Sequence, residues 1–248
     1  MSEVVTVAAH AKLTLSLRVT GVRADGFHLI NAEMISLRLA DTLQIDPRGS
    51  GITVEGPFSE GVPTTADNLV ARALALAGKS ASIRINKQIP NGGGLGGGSS
   101  DAAAVLRWAG FADVVAASRL GADIPFCMVG GRARVSGIGE VVEPVAESQR
   151  RDEPLDITLV IPPLHVSTPA VYKAWDSLDA SARHAEVNDL EPAAITVEPQ
   201  LARWRDRIRE ASGVSPVLAG SGATWFLRGK HEIADALRDA TVIVTCSR

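Results

Sequence analysis

Residues 90–101 read Pro-Asn-Gly-Gly-Gly-Leu-Gly-Gly-Gly-Ser-Ser-Asp, so six of the seven positions from Gly92 to Gly98 are glycine. Glycine loses more backbone freedom on folding than any other residue, so such a run costs stability. It marks a place where the chain needs φ > 0 or very close backbone approach. A phosphate chain demands both. Successive N–H groups of Gly92, Gly93, Gly94, Leu95, Gly96, Gly97 and Gly98 can converge on its oxygens. A helix opening near Ser99 and Ser100 adds hydroxyls and the positive end of its dipole. The run stands directly between a β-branched strand and an alanine-rich helix, which is not where a flexible linker belongs. It lacks the closing Gly-Lys-Ser/Thr of a Walker A loop. No acidic residue ends a second strand at the distance a dinucleotide fingerprint requires.

Other side chains suit phosphoryl transfer. Asp123 precedes Ile124-Pro125, after a helix ending at Leu120-Gly121. A carboxylate there can accept a hydroxyl proton and orient its oxygen, or it can simply cap a turn. Lys12 shares a strand face with Thr14 and Ser16, where an ammonium can stabilise charge developing on that oxygen. An isolated strand lysine is otherwise solvent-exposed. His28 follows Phe27 in a turn. Thr168 and Pro169 form a good N-cap and N1 pair, with Tyr172, the only tyrosine, one helical turn on. Gly220-Ser221-Gly222 is either a hairpin turn or a loop that closes on a ligand.

Hydrophobic period places these groups on elements. Ala11, Leu13, Leu15, Leu17 and Val19 fall on one face of a half-buried strand over 11–19. A turn over 22–26 leads to strands at 32–39 and 42–45. A helix over 68–77 is capped by Thr65 or Asp67 and ended by Gly78. The strand over 82–89 puts Lys87 on its apolar face, where it either reaches water or points at a ligand. Helices over 100–108 and 112–120 follow, then a strand over 131–136 and a turn at Gly137-Ile138-Gly139. The charged, proline-closed stretch 149–154 reads as a linker, dividing the chain into units 1–150 and 151–248. Beyond it come a strand (156–161), a helix opening at Ser167, a helix (200–211), strands (214–218 and 223–227), a helix (231–238) and a strand (241–245). That order suits a ferredoxin-like sandwich, so the class is α+β.

The 248 residues suffice for one large or two small domains sharing a cleft. A hydrophobic fraction of 46% with 21% charged residues is that of a globular chain, and a net charge of −3 without basic blocks argues against nucleic-acid binding. No apolar run nears the roughly 20 residues of a membrane span. The N-terminal stretch lacks a basic n-region, so a cytoplasmic location is expected. Cys127 and Cys246 have no metal-ligand spacing and read as free thiols. No carboxylate or histidine cluster offers a metal site, so Mg²⁺ is expected to arrive with the phosphate ligand.

The segment Pro90–Asp101 resembles the second motif of the GHMP kinases (galactokinase, homoserine kinase, mevalonate kinase, phosphomevalonate kinase). The opening AKLTLSLRVTGVRADGFHLI, the segment LGADIPF around Asp123 and LAGSGATWF near the C-terminus resemble the branch of that family acting on 4-diphosphocytidyl-2-C-methyl-D-erythritol (CDP-methylerythritol). ADNLVARA and HVSTPAVY also have counterparts there, so the likeness covers nearly the whole chain. It implies an ATP-dependent kinase of the non-mevalonate isoprenoid route that phosphorylates the 2-hydroxyl of CDP-methylerythritol. The fold implied is an N-terminal unit of the ribosomal-S5 type with a ferredoxin-like C-terminal unit. Lys12 and Asp123 are the implied catalytic pair. Asn68, Lys87, Pro90, Asn91 and the loop from Gly92 to Ser100 would hold ATP. Thr14, Phe27, His28, Ile138, Thr168, Tyr172, Gly220 and Ser221 would meet the substrate, with His28 as a cytosine partner. The pattern departs at His10, Thr14, Phe27 and Asn91, where the family has Pro, Asn, Tyr and often Met. A monomer or weak homodimer is expected. A GHMP kinase for another small alcohol and an inactive nucleotide-binding homologue stand as alternatives. The turn ending in His28 argues against the first, since a small alcohol needs no base reader. Retention of Lys12 and Asp123 argues against the second.

Overall fold

The computed structural model describes residues 3–149 and 154–248. The chain runs β1 (Val5–Val22), β2 (His28–Asp46), β3 (Gly51–Glu55), α1 (Leu69–Leu76), β4 (Ser82–Asn86), α2 (Gly97–Trp108), α3 (Val114–Ser118), α4 (Ile124–Val129), β5 (Arg132–Gly137) and β6 (Val141–Pro144). It continues with β7 (Asp156–Ile161), α5 (Thr168–Ser177), α6 (Glu191–Val197), α7 (Gln200–Ser212), β8 (Val217–Leu218), β9 (Trp225–Arg228) and β10 (Thr241–Cys246). The first six strands form one sheet, ordered β3-β4-β2-β5-β6 with β1 paired to β2. The last four form a second, ordered β10-β7-β9-β8. Counted from β7, that order is 4-1-3-2 with every pair antiparallel, the ferredoxin-like arrangement. Residues 150–153 of the stretch read as a linker lie outside the described residues.

The β1–β2 hairpin is the feature that positions the site. The two strands expected at 32–39 and 42–45 are one, because β2 pairs with β1 along nearly its whole length. Asp41 lies within β2, its carboxylate buried and fully used (below). Register shifts at His10/Lys12 and Thr14/Ser16 act as bulges that re-aim side chains. The single apolar face expected over 11–19 is therefore split. Ala11, Leu13 and Leu15 pack with Leu37, Ile157, Leu159 and Phe226 against the second sheet. Leu17 and Val19 join Ile30 and Ala32 in the larger core. Lys12 and Thr14 are buried too, at 5% and 2% exposure, so β1 is covered on both faces here rather than half-buried.

Other boundaries moved for local reasons. Asn68, not Thr65 or Asp67, caps α1 by accepting from the Val70 N–H, and Gly78 (φ +61°) follows its end. β4 stops at Asn86: the Lys87 N–H still donates to the Glu55 carbonyl, but those of Gln88 and Ile89 turn to Asp41. Ser167 caps α5, which makes Thr168 its first helical residue. The helix expected at 231–238 is a 3-10 turn over Ala234–Leu237. The short elements β3, β6, α4 and α6 had no clear period in the sequence.

Candidate active site

Lys12 reaches the site from β1. Its Nζ lies 3.4 Å from Asp123 Oδ2 and 3.4 Å from Thr14 Oγ1. Asp123 sits at the N-cap position of α4 but makes no capping hydrogen bond, which leaves its carboxylate turned to the lysine. The pair opens into a cavity of about 1010 Å³ lined by both halves of the chain.

The glycine loop forms one wall. The Lys12 N–H donates to the Leu95 carbonyl at 3.0 Å, tying the loop to β1. Gly96 has φ +70°, and a Cβ there would lie 2.7 Å from Lys12 Cγ. At Gly94 (φ +73°) a Cβ would lie 2.9 Å from the Gly222 carbonyl oxygen. Part of the glycine requirement is thus close packing against Lys12 and the 220–222 turn, as well as room for a ligand. Gly94 and Ser99 line the cavity, and Leu95 is buried beneath it.

Several residues expected at the nucleotide are committed elsewhere. Ser100 is buried and donates its hydroxyl to the His10 carbonyl at 2.7 Å, fastening α2 to β1 rather than facing the cavity. Asn68 is spent on its cap and on the Pro63 carbonyl. Lys87 is 2% exposed, with its ammonium on Asp41 and Asp101. Gly97 rests on it, since a Cβ there would lie 3.2 Å from Lys87 Nζ. Gly93 packs on Thr224, Gly98 faces Leu69, and Gly92 approaches His165. Pro90 and Asn91 line a separate depression of about 480 Å³, with Phe58 and Pro162. Asn91 donates to the Phe58 carbonyl.

The far end of the cavity is aromatic. Phe27 is 57% exposed, and His28 stacks on Tyr172 with ring centroids 4.6 Å apart. Trp175 meets the same imidazole edge-on. His28 Nε2 bonds Asp176 Oδ1 at 2.8 Å, so that ring nitrogen is already engaged. Asp176 lies one helical turn beyond Tyr172, and that i, i+4 spacing was the available signal for it. Burial, with the nearby Asp123 charge, pushes the Tyr172 phenol up to about 12 and keeps it neutral. Because Ser167 takes the cap, Thr168 is free to bond Ser221 Oγ at 2.7 Å. Gly220 approaches Lys12 closely, a Cβ there lying 3.9 Å from its Nζ. Ile138 completes the wall beside Asp123. Beneath, burial followed by the Asp123 charge pushes the Cys127 thiol up to about 12, leaving it unreactive. Burial pulls the His10 imidazole down, against the hydrogen bond from its Nδ1 to the Leu37 carbonyl.

Residues 65–131 match the GHMP kinases N terminal domain. The chain is 39% identical to a 4-diphosphocytidyl-2-C-methyl-D-erythritol kinase of Paracoccus denitrificans, over 88% of this chain and 85% of that one. It is 35% identical to the enzyme of the same name from Cereibacter sphaeroides, over 94% of each. A solved structure of 4-(cytidine 5'-diphospho)-2C-methyl-D-erythritol kinase superposes with a TM-score of 0.75 at 31% identity, covering 98% of this chain and all of that one. Likeness this high along almost the full length, in sequence and in fold together, is that of shared descent: the chain belongs to the 4-diphosphocytidyl-2-C-methyl-D-erythritol kinase family of GHMP kinases.

Proposed function

We propose that this chain transfers the γ-phosphoryl group of ATP to the 2-hydroxyl of CDP-methylerythritol. The observation that carries the reading is the Lys12–Asp123 pair, 3.4 Å apart, in a cavity walled by the glycine loop. Asp123 takes the hydroxyl proton as the oxygen bonds to the γ-phosphorus and the bond to the bridging oxygen of ADP breaks. Lys12 stabilises the negative charge that gathers on the transferring group. The loop amides and the opening of α2 hold the remaining phosphate oxygens. The aromatic end, with Phe27 and Tyr172 beside His28, suits a flat cytosine ring. The shared names of the relatives point to the same acceptor.

In this reading Mg²⁺ would come with the nucleotide and would supply charge neutralisation of its phosphates. The acidic groups on the cavity wall, Asp123 and Asp176, each already face a cationic or histidine partner. No helix among the described residues is long and apolar enough to cross a membrane. We take the chain to act in the cytoplasm as a monomer or weak homodimer, checked by sedimentation. A coupled ADP-release assay with CDP-methylerythritol, homoserine and mevalonate tests the function itself. Turnover is expected with CDP-methylerythritol alone. Preference for either small alcohol would replace the reading, and ATP binding without turnover on any would make the chain an inactive homologue.

A further inference from the structure

Under the first turn of α2 lies a cluster of ionisable groups that the transfer step does not use. Lys87, Asp41 and Asp101 come from the end of β4, from β2 and from α2, with side chains 2%, 0% and 3% exposed. Asp41 is fully engaged. One of its oxygens accepts the N–H groups of Gln88 and Ile89, and the other accepts from Lys87. Asp101 is not. Its Oδ2 accepts from Lys87 at 2.8 Å, and its Oδ1 is buried with no partner.

The charge count follows. One ammonium balances one carboxylate, and Asp41, with three donors on its two oxygens, is the carboxylate whose acceptors are all satisfied. Ionising Asp101 as well leaves one uncompensated negative charge in a dry site. That site is directly below the loop, because Gly97 rests on Lys87. We propose that Asp101 is a positioning residue for the phosphate loop: protonated, it leaves the cluster neutral so that the α2 amides attract a polyphosphate, and ionised, it opposes the same anion. The inference rests on the reading that this loop takes the phosphates of ATP.

The surroundings agree. Burial raises the Asp101 carboxyl most; Lys87 pulls it back and Asp41 raises it further, to about 7. Burial works against the Lys87 charge, but Asp101 and Asp41 outweigh it and hold the ammonium protonated. Among the described residues, the other elements packed on α2 carry the following charged and titratable groups. On α1, Arg72 is exposed. On β1, Lys12 faces the cavity and the His10 ring bonds Leu37. On α4, the Cys127 thiol stays protonated. Farther along α2, Arg107 donates to the Cys127 carbonyl.

Linkage fixes the sign. A bound polyphosphate favours the protonated form, so binding takes up a proton and affinity falls as pH rises past the titration, by up to about tenfold per pH unit. The test is calorimetric titration with the β,γ-imido analogue of ATP between pH 6 and 8.5, in buffers of differing ionisation enthalpy. Wild type is compared with Asp101→Asn, which keeps the shape without the proton. The ligand's own titration is common to both proteins and cancels. The expected result is extra proton uptake and a steeper loss of affinity with pH in wild type. Equal uptake and equal slopes would sink the inference alone. Binding by neither protein would sink the loop reading and the inference with it. A second measurement uses wild type only: carboxyl ¹³C NMR should show one aspartate titrating near neutrality and moving to higher pH with the analogue. Absence of such a group overturns the inference even if the variant fails to fold.

Discussion

Replacing Asp123 by Asn separates chemistry from structure. The change keeps the shape and a good N-cap residue for α4 but removes the proposed proton acceptor. The structural cost is small, because Asp123 makes no capping hydrogen bond and its side chain is 33% exposed. Losing its pair with Lys12 at 3.4 Å costs about 1 kcal/mol or less, the range of partly solvated ion pairs. For a chain of this size that moves Tm by no more than about 4 °C. The catalytic cost is larger. A positioned base contributes about 10²–10⁴ in rate, or about 3–5 kcal/mol of transition-state stabilisation. The assay is steady-state ADP release with saturating CDP-methylerythritol, alongside thermal unfolding of the same preparation. We expect kcat to fall at least about a hundredfold, with KM for ATP and Tm nearly unchanged. A kcat within about tenfold of wild type would remove Asp123 from the chemistry. A large fall in Tm would instead make it a structural residue.

Lys12→Met should lower kcat/KM by about 10²–10³ while leaving stability near wild type, since Met fills the same buried space and Asp123 remains hydrated; unchanged kcat/KM would refute the role. Gly96→Ala should lose about 1 kcal/mol of stability from its positive φ alone, and about a hundredfold in kcat as the new methyl displaces Lys12; wild-type kinetics would show that the loop does not position the lysine. Asp176→Ala, which frees the His28 ring, should raise KM for CDP-methylerythritol about tenfold with little change in kcat; an unchanged KM would exclude that hydrogen bond from substrate recognition. The Asp101 carboxyl is raised from 3.8 in the unfolded chain to about 7 on folding. Its contribution to stability is thus full below about pH 4 and lost as pH rises to about 7, while Asp101→Asn should lack that decline in denaturant melts.

Some features were legible because they depend on neighbours along the chain. The strand period at the start of β1, the glycine that ends α1 and the glycine run before α2 are all local patterns. Lys87 shows where such reading stops. From the strand period it belongs to an apolar face, and a lysine there suggested a ligand. Its two carboxylate partners come from positions 41 and 101, which no local pattern joins to it. Ser100 and Asn68 show the same limit, since their partners in the structure, the His10 carbonyl for one and the Pro63 carbonyl for the other, are not named by residue type.

The sequence by itself determined the chemistry on offer: a glycine-rich loop, a lysine, an aspartate and an aromatic turn, each set by residue type and short-range spacing. The tertiary structure decided which of these meet. The bulge at Thr14/Ser16 sends Leu17 and Val19 to the larger core while Ala11, Leu13 and Leu15 face the second sheet, and Lys12 and Thr14, on the opposite face, line the cavity. Glycines at 96 and 94 allow the loop to press against Lys12 and against the 220–222 turn. The physical reason is that covalent spacing sets period and propensity, whereas burial and charge pairing depend on groups brought together from distant parts of the chain.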